Sequence, residues 1–225
     1  PEGSRLTFSD DPDDYLPPVF TRWEGTEAMS LSPLTYVSDA ENVAVTGKGI
    51  ISGSGVSARQ RGMVQRGIDQ DKLRQMGDDG VPVAQRVFGK GRVLPPSLMQ
   101  FQRCRAVLVE GVRIIDMPLW GVHLLYSRDI TVRGISVESR SANNDGIDID
   151  SSEMVNVDQS TFVTGDDCIA VKSGRDRDGR TVGRPTSNVV IQNCHMKFGQ
   201  SAGVAIGSEM SGGVKNVYIL RCKMD

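Results

Sequence analysis

The chain has 225 residues, 26 basic and 28 acidic, with a formal charge of −2. That balance excludes a bulk-charge surface for nucleic acid or an anionic membrane, and no apolar run reaches the roughly 18 residues of a membrane helix. Apolar residues make up 38% but aromatics only 5%, so a core must come from Val, Ile and Leu, which suits one all-β domain over residues 1–225. The cysteines Cys104, Cys168, Cys194 and Cys222 lack zinc-ligand spacing and are too few to build a disulfide scaffold, so they do not fix a compartment. Pro1-Glu2-Gly3-Ser4 reads as neither a signal nor a transit peptide.

In chain order, residues 1–41 read as an acidic turn-rich piece followed by an irregular stretch around Trp23 and Pro33. Residues 42–55 alternate and then end in glycines, the pattern of strand, turn, strand and loop. Residues 57–91 lose the alternation and read as a loop excursion with one or two short helices, best placed at 65–76. After Pro96 a repeat appears. Its clearest copies are Asn188-Val-Val-Ile-Gln-Asn-Cys194 and Asn216-Val-Tyr-Ile-Leu-Arg-Cys222, with weaker ones at Asn42, Ala106, Asp129 and Asn156. A second strand set runs alongside: Gly121-Val-His-Leu, Gly146-Ile-Asp-Ile, Cys168-Ile-Ala-Val and Gly203-Val-Ala-Ile. Several short strands per coil, apolar inside and recurring at irregular intervals, predict a right-handed parallel β-helix, a solenoid stacked on itself. A β-sandwich would instead call for paired amphipathic strands and Asn-Gly or Asp-Gly hairpins, which are nearly absent.

The acidic residues follow from that register. Laying Asp145-Gly-Ile-Asp-Ile over Asp167-Cys-Ile-Ala-Val puts Asp145 beside Asp167 on adjacent strands about 4.8 Å apart, with Asp166 at the strand entry. Crowded carboxyls push one another's pKa values apart, so one donates a proton while another accepts, as acetal cleavage requires. Asp and Gly are also the residues that bends favour, and from spacing alone both readings stand.

Asn143-Asn144-Asp145-Gly146, Gly165-Asp166-Asp167-Cys168 and Gly207-Ser208-Glu209-Met210-Ser211-Gly212-Gly213 together resemble glycoside hydrolase family 28, the polygalacturonases. Glu24-Gly25-Thr26-Glu27 and Val45-Thr46-Gly47-Lys48-Gly49 resemble its N-terminal coils. The resemblance implies hydrolysis of α-1,4-galacturonic acid or related uronic-acid linkages in pectin, with inversion, no cofactor and no metal. It implies that Asp166 is the general acid and that Asp145 and Asp167 activate water. Asn143, Lys172, Ser201 and Glu209 are the candidate substrate-binding residues, with Glu209 by position either contacting substrate or capping a turn. Lys172, stacked on Asp150 in this register, either binds a uronate carboxylate or pairs with that Asp. The implied partner is an acidic polysaccharide or oligogalacturonide, with no nucleic acid and no membrane, in a secreted or periplasmic protein whose leader is removed or not included. Two departures stand out. Gln200-Ser201-Ala202-Gly203 replaces the family's His-Gly, and the family's Arg-Ile-Lys segment would fall beyond Asp225, which reads as truncation at the C-terminal end and an inactive or weakly active piece. Hydrolysis of rhamnogalacturonan or another acidic glycan, and a non-catalytic polysaccharide-binding β-helix, remain as alternatives.

Overall fold

The computed structural model describes residues 1–53, 63–198 and 201–225. Three parallel sheets form the walls of a solenoid, and each coil contributes one strand to each wall. The first wall stacks Thr35–Ser38, Met99–Gln102, Val122–Leu125, Ile147–Asp150, Ile169–Lys172 and Val204–Ile206. The second stacks Glu41–Thr46, Arg105–Glu110, Arg128–Arg133, Glu153–Asp158, Thr186–Gln192 and Val214–Leu220. The third runs from Arg5–Thr7 to Lys223–Met224. These are the predicted parallel β-helix, and both predicted strand sets occupy walls of their own.

The coil turns its corners at residues in the left-handed backbone region. Asn42, Asp129, Asn188 and Asn216, with φ of 56°, 58°, 56° and 56°, recur at the start of the second-wall strands. Asn and Asp tolerate that conformation best after glycine, which is why they mark the repeat. The same corner in one coil is Met154, φ 55°, and here the sequence reading misplaced the copy. Asn156 pairs with Thr131 and Val190 inside the strand, two residues beyond the corner. A slip of two residues leaves each side chain on its own face, so the apolar pattern could not expose the error. The interior is an apolar stack that includes Val107, Ile130, Val155 and Val189 from the second wall and Phe101, Leu124, Ile147 and Ile169 from the first.

Stacked hydroxyls knit the coils at one corner. Ser127 Oγ accepts from the Cys104 N–H at 2.9 Å, and Ser152 Oγ accepts from the Ser127 N–H at 2.9 Å. Each hydroxyl also donates to a carbonyl, of Leu125 at 3.0 Å and Leu124 at 2.9 Å, so these buried polar groups are satisfied. Cys194 and Cys222 lie on adjacent coils as predicted, linked by the Lys223 N–H to Cys194 carbonyl bond at 2.9 Å. Both are free thiols; Cys104, Cys168 and Cys194 are buried, whereas Cys222 is half-buried.

The N-terminal stretch expected to be irregular is instead an antiparallel hairpin, Val19–Trp23 with Thr26–Ser30, turning at Glu24-Gly25. Glu24 has φ 39° and Gly25 φ 83°, so the turn needs two left-handed residues. The signal was missed because Glu, unlike Asn or Asp, does not advertise that conformation. Part of the predicted excursion, residues 57–62, lies outside the described residues. Its helix, α1, runs Met63–Asp78, longer than expected, and Val87–Phe88 pairs with Thr26–Ser30 to make a small third strand. Leu73 of α1 packs with Trp23, Ala28, Phe88, Leu94, Leu119 and Trp120 in a second apolar cluster outside the solenoid. Asp69, fully buried, pins the helix by accepting from the Val93 N–H at 2.7 Å and Arg92 Nη1 at 3.1 Å. Hairpin and helix thus form a layer against the first wall. Among the described residues, no helix is long and apolar enough to cross a membrane.

Candidate active site

The first wall carries the acids. Its strands Ile147–Asp150 and Ile169–Lys172 pair in the predicted register, Ile147 to Ile169 and Asp150 to Lys172. The Gly146 N–H donates to the Asp167 carbonyl at 3.0 Å, so Asp145 and Asp167 enter neighbouring strands side by side. Gly165 lets the Asp166-Asp167 turn press onto the coil below, because a Cβ there would sit 2.3 Å from the Ser141 carbonyl oxygen. Asp145, Asp166 and Asp167 open together into a cleft of about 560 Å³, whose rim includes Glu24, Arg74 and Arg175.

The three carboxyls are held differently. Asp166 Oδ1 accepts from the Asp167 N–H and Oδ2 from the Asn143 N–H, both at 3.0 Å. Asp167 Oδ1 accepts from the Ala202 N–H at 3.0 Å and from the Ser201 hydroxyl. Asp145 is buried with Lys172 Nζ 3.5 Å away. Burial drives its pKa up to about 7; Lys172 opposes the shift, and the Asp166 and Asp167 charges add to it. Asp148, fully buried in the strand three residues on, has neither carboxyl oxygen hydrogen-bonded among the described residues, with Lys172 Nζ 3.6 Å away. Burial and then Asp145 push its pKa well above the usual carboxylate range, with Lys172 opposing.

Of the two readings left open for Lys172, the pairing with Asp150 is not the one the structure shows. Lys172 stacks on Asp150 in register, but its ammonium turns to Glu209 at 2.8 Å, with Asp145 and Asp148 at 3.5 and 3.6 Å. It lies 5.0 Å from the centroid of the Trp120 ring. Burial weakens its charged form, but Asp148, Asp145 and Glu209 outweigh that and raise its pKa. Only 6% of the side chain is exposed, so its donors are turned to the protein's own acids. Asp150 instead pairs with Arg22 of the hairpin at 2.8 Å. Glu209, also buried, bridges Lys172 and Arg175; burial raises its pKa, and the two cations overcome this and lower it.

Ser201 lines the cleft, yet its hydroxyl is spent on Asp167. Asn143 also lines it, with its side chain donating to Glu24 Oε1 at 2.6 Å. Gln200, the other half of the expected departure, lies outside the described residues. Glu24 and Arg74 were not legible as cleft residues: the hairpin turn carried no strong signal, and Arg74 sits on a helix with a weak apolar face. His123, buried between Gln100 and Asp150, and Trp120, 1% exposed, belong to the floor.

One consequence is measurable without substrate. The folded chain holds the Asp145 proton more tightly than an unfolded Asp, whose pKa is 3.8, so this contribution to stability is full below about pH 4 and lost as pH climbs through about 7. Asp145→Asn, neutral throughout, should melt several degrees above the native protein at about pH 8 and no higher than it at about pH 4. Calorimetry showing the same difference at both pH values would refute the shift.

Known proteins resemble this chain in sequence and in fold. Residues 82–225 match the profile of glycosyl hydrolases family 28. The chain is 38% identical over 131 residues to a probable polygalacturonase of Vitis vinifera, an alignment covering 57% of this chain and 27% of that protein. An endo-polygalacturonase of Pectobacterium parmentieri is 31% identical over 134 residues, 58% of this chain and 31% of the relative. The crystal structure of a hyperthermoactive exopolygalacturonase from Thermotoga maritima superposes with a TM-score of 0.92 at 42% identity, covering 97% of this chain and 52% of that one. The chain therefore spans about half or less of these relatives' lengths. With its coils, its acidic turns and this match over most of its length, it belongs to glycosyl hydrolases family 28.

Proposed function

We propose that the chain carries the catalytic acids of a hydrolase that cleaves α-1,4 linkages between galacturonic acid residues with inversion. The observation that carries this reading is the convergence of Asp145, Asp166 and Asp167 on one cleft in three different environments. Asp166 sits at the strand entry and serves as the general acid, protonating the leaving oxygen. Asp145 and Asp167, paired across adjacent coils, hold and deprotonate the attacking water from the other face of the sugar. Ser201 and the Ala202 N–H orient Asp167 for that task, so Ser201 acts on the base rather than on the sugar. Identity to the Thermotoga exopolygalacturonase supports attack at chain ends, and a pectin substrate supports a reaction outside the cytoplasm.

An anionic sugar needs cations with donors to spare. Lys172 is occupied, whereas Arg74 and Arg175 keep 35% and 22% of their side chains exposed at the cleft. These two arginines are the candidates for gripping a uronate carboxylate, and Lys172 is the countercharge that keeps buried acids tolerable. Glu209 accordingly supports Lys172 and Arg175, and Asn143 supports the acid. Lys172→Met should raise the Asp145 pKa further, because Lys172 is the main influence holding it down. The acidic limb of kcat/KM against pH is then expected at higher pH, and an unmoved limb would remove Lys172 from that role.

The test is reducing-end release from polygalacturonate by the full-length protein, with the anomer of the first product read by NMR. The β-anomer is expected. The α-anomer would replace the mechanism by a retaining one, and binding without release would leave a polysaccharide-binding β-helix.

A further inference from the structure

Glu24 stands out as an acid that touches the cleft from outside the solenoid. It is 7% exposed, and it sits at the hairpin turn. Its carboxylate accepts from Gln70 Nε2, from Arg74 Nη2 at 3.0 Å and from Arg66 Nη2 at 3.4 Å, all on α1. On the cleft side, Asn143 Nδ2 donates to Glu24 Oε1 at 2.6 Å, and the N–H of the same Asn143 donates to Asp166 Oδ2 at 3.0 Å. The turn itself cannot drift. Arg175 Nε donates to the Glu24 carbonyl at 3.1 Å and the Arg175 N–H to the Gly25 carbonyl at 2.8 Å. A Cβ on Gly25 would lie 2.6 Å from Glu209 Cγ, so the turn is pressed onto the cleft floor.

We propose that Glu24 is a positioning residue for the general acid: through Asn143 it ties the orientation of Asp166 to the docking of α1. This rests on the functional reading above, in which Asp166 protonates the leaving group. Asn143 has φ 61°, in the left-handed region, which is costly for an L residue and best tolerated by Asn and Asp when the side chain is hydrogen-bonded. The Glu24 carboxylate holds that side chain, and three donors of α1, Arg66, Gln70 and Arg74, in turn hold the carboxylate. With the peptide fixed, Asp166 has one N–H on each oxygen, and its carboxyl plane is set before substrate arrives. An acid misplaced by about 1 Å loses on the order of 10²-fold in rate. Because a relay of this kind acts on the chemical step, its loss should appear in kcat rather than in KM.

The experiment uses the full-length protein and polygalacturonate. Glu24→Ala is expected to lower kcat about 10–100-fold without raising KM. Glu24→Gln, which keeps an oxygen for Asn143, should recover most of that loss. Asn143→Gly suits the left-handed backbone while removing the side chain, and leaves every α1 contact in place. It should reproduce the Glu24→Ala loss, and the double variant should lose no more than the larger single one, as links of one chain do. Losses that add, a rise in KM alone, or no rescue by Gln would overturn the relay and leave Glu24 as a hairpin anchor. Melting temperatures of each variant separate a folding loss from a kinetic one, and should Glu24→Ala fail to fold, Asn143→Gly decides alone: full kcat there overturns the proposal. Asp166→Asn is the control. If it keeps native turnover, the functional reading and the relay fall together; if it is inactive and Asn143→Gly is not impaired, only the relay falls.

Discussion

Asp166→Asn and Asp167→Asn, each made in the full-length protein, are expected to lower kcat on polygalacturonate by about 10²–10⁴-fold, the usual cost of removing an acid or base from its role. Asn preserves volume and most hydrogen bonds. Asp167 accepts from Ser201 and Ala202 on the same oxygen, and an Asn oxygen in that place can still accept from both; what disappears is the proton transfer. Asp166 is held by two main-chain N–H groups rather than by a cation, so its replacement leaves no buried charge uncompensated. Both variants should therefore melt near the native temperature while losing turnover. Initial rates of reducing-end release, normalised to folded protein, provide the check; near-native kcat in either variant would remove that residue from the mechanism.

Asp150→Asn and Arg22→Ala should show the opposite behaviour, a loss of fold. Arg22 and Asp150 both have completely buried side chains and pair at 2.8 Å, and Arg22 Nη1 also donates to Ser151 Oγ at 2.8 Å. The guanidinium lies 4.7 Å from the Tyr126 ring centroid, and its Nε and Nη2 have no hydrogen-bond partner among the described residues. Removing Asp150 strands a cation that already lacks partners, and breaking a buried pair from one side costs about 3–5 kcal/mol. The expected loss is of that order by urea denaturation. An apolar double replacement of similar volume should recover much of it, because burial of the pair itself is costly. Burial alone would raise the Asp150 pKa, but Arg22 and then His123 overcome it and leave it lowered. This contribution is therefore present above the ordinary Asp value and is lost only as pH falls below it. A loss under about 1 kcal/mol would show that the pair is not the clamp between hairpin and solenoid.

The solenoid could be read in the sequence because its physical causes are local and repeated. Val and Ile at alternate positions face a common interior, Asn and Asp occupy left-handed corners, and the recurrence of both defines a coil without any contact being known. The register that brings Asp145 to Asp167 is legible for the same reason: in a parallel stack, matching apolar residues of successive strands become neighbours. That determined the fold and the three acids. The partners of those acids were decided elsewhere. Lys172 was placed on the correct strand opposite Asp150, yet its long side chain reaches Glu209, 37 positions later in the chain. Asp150 is taken by Arg22, 128 positions earlier. Neither pairing leaves a periodic trace, because each joins the coil to a hairpin or a loop that repeats nothing. Glu24, Arg74 and Arg175 meet at the cleft only because the hairpin and α1 fold back over the first wall. The sequence by itself thus determined the coil, its inward face and the carboxylate cluster, all products of short-range periodicity. Only the tertiary structure decided which charges neutralise that cluster and which residues wall the cleft, because those choices depend on where non-repeating segments dock.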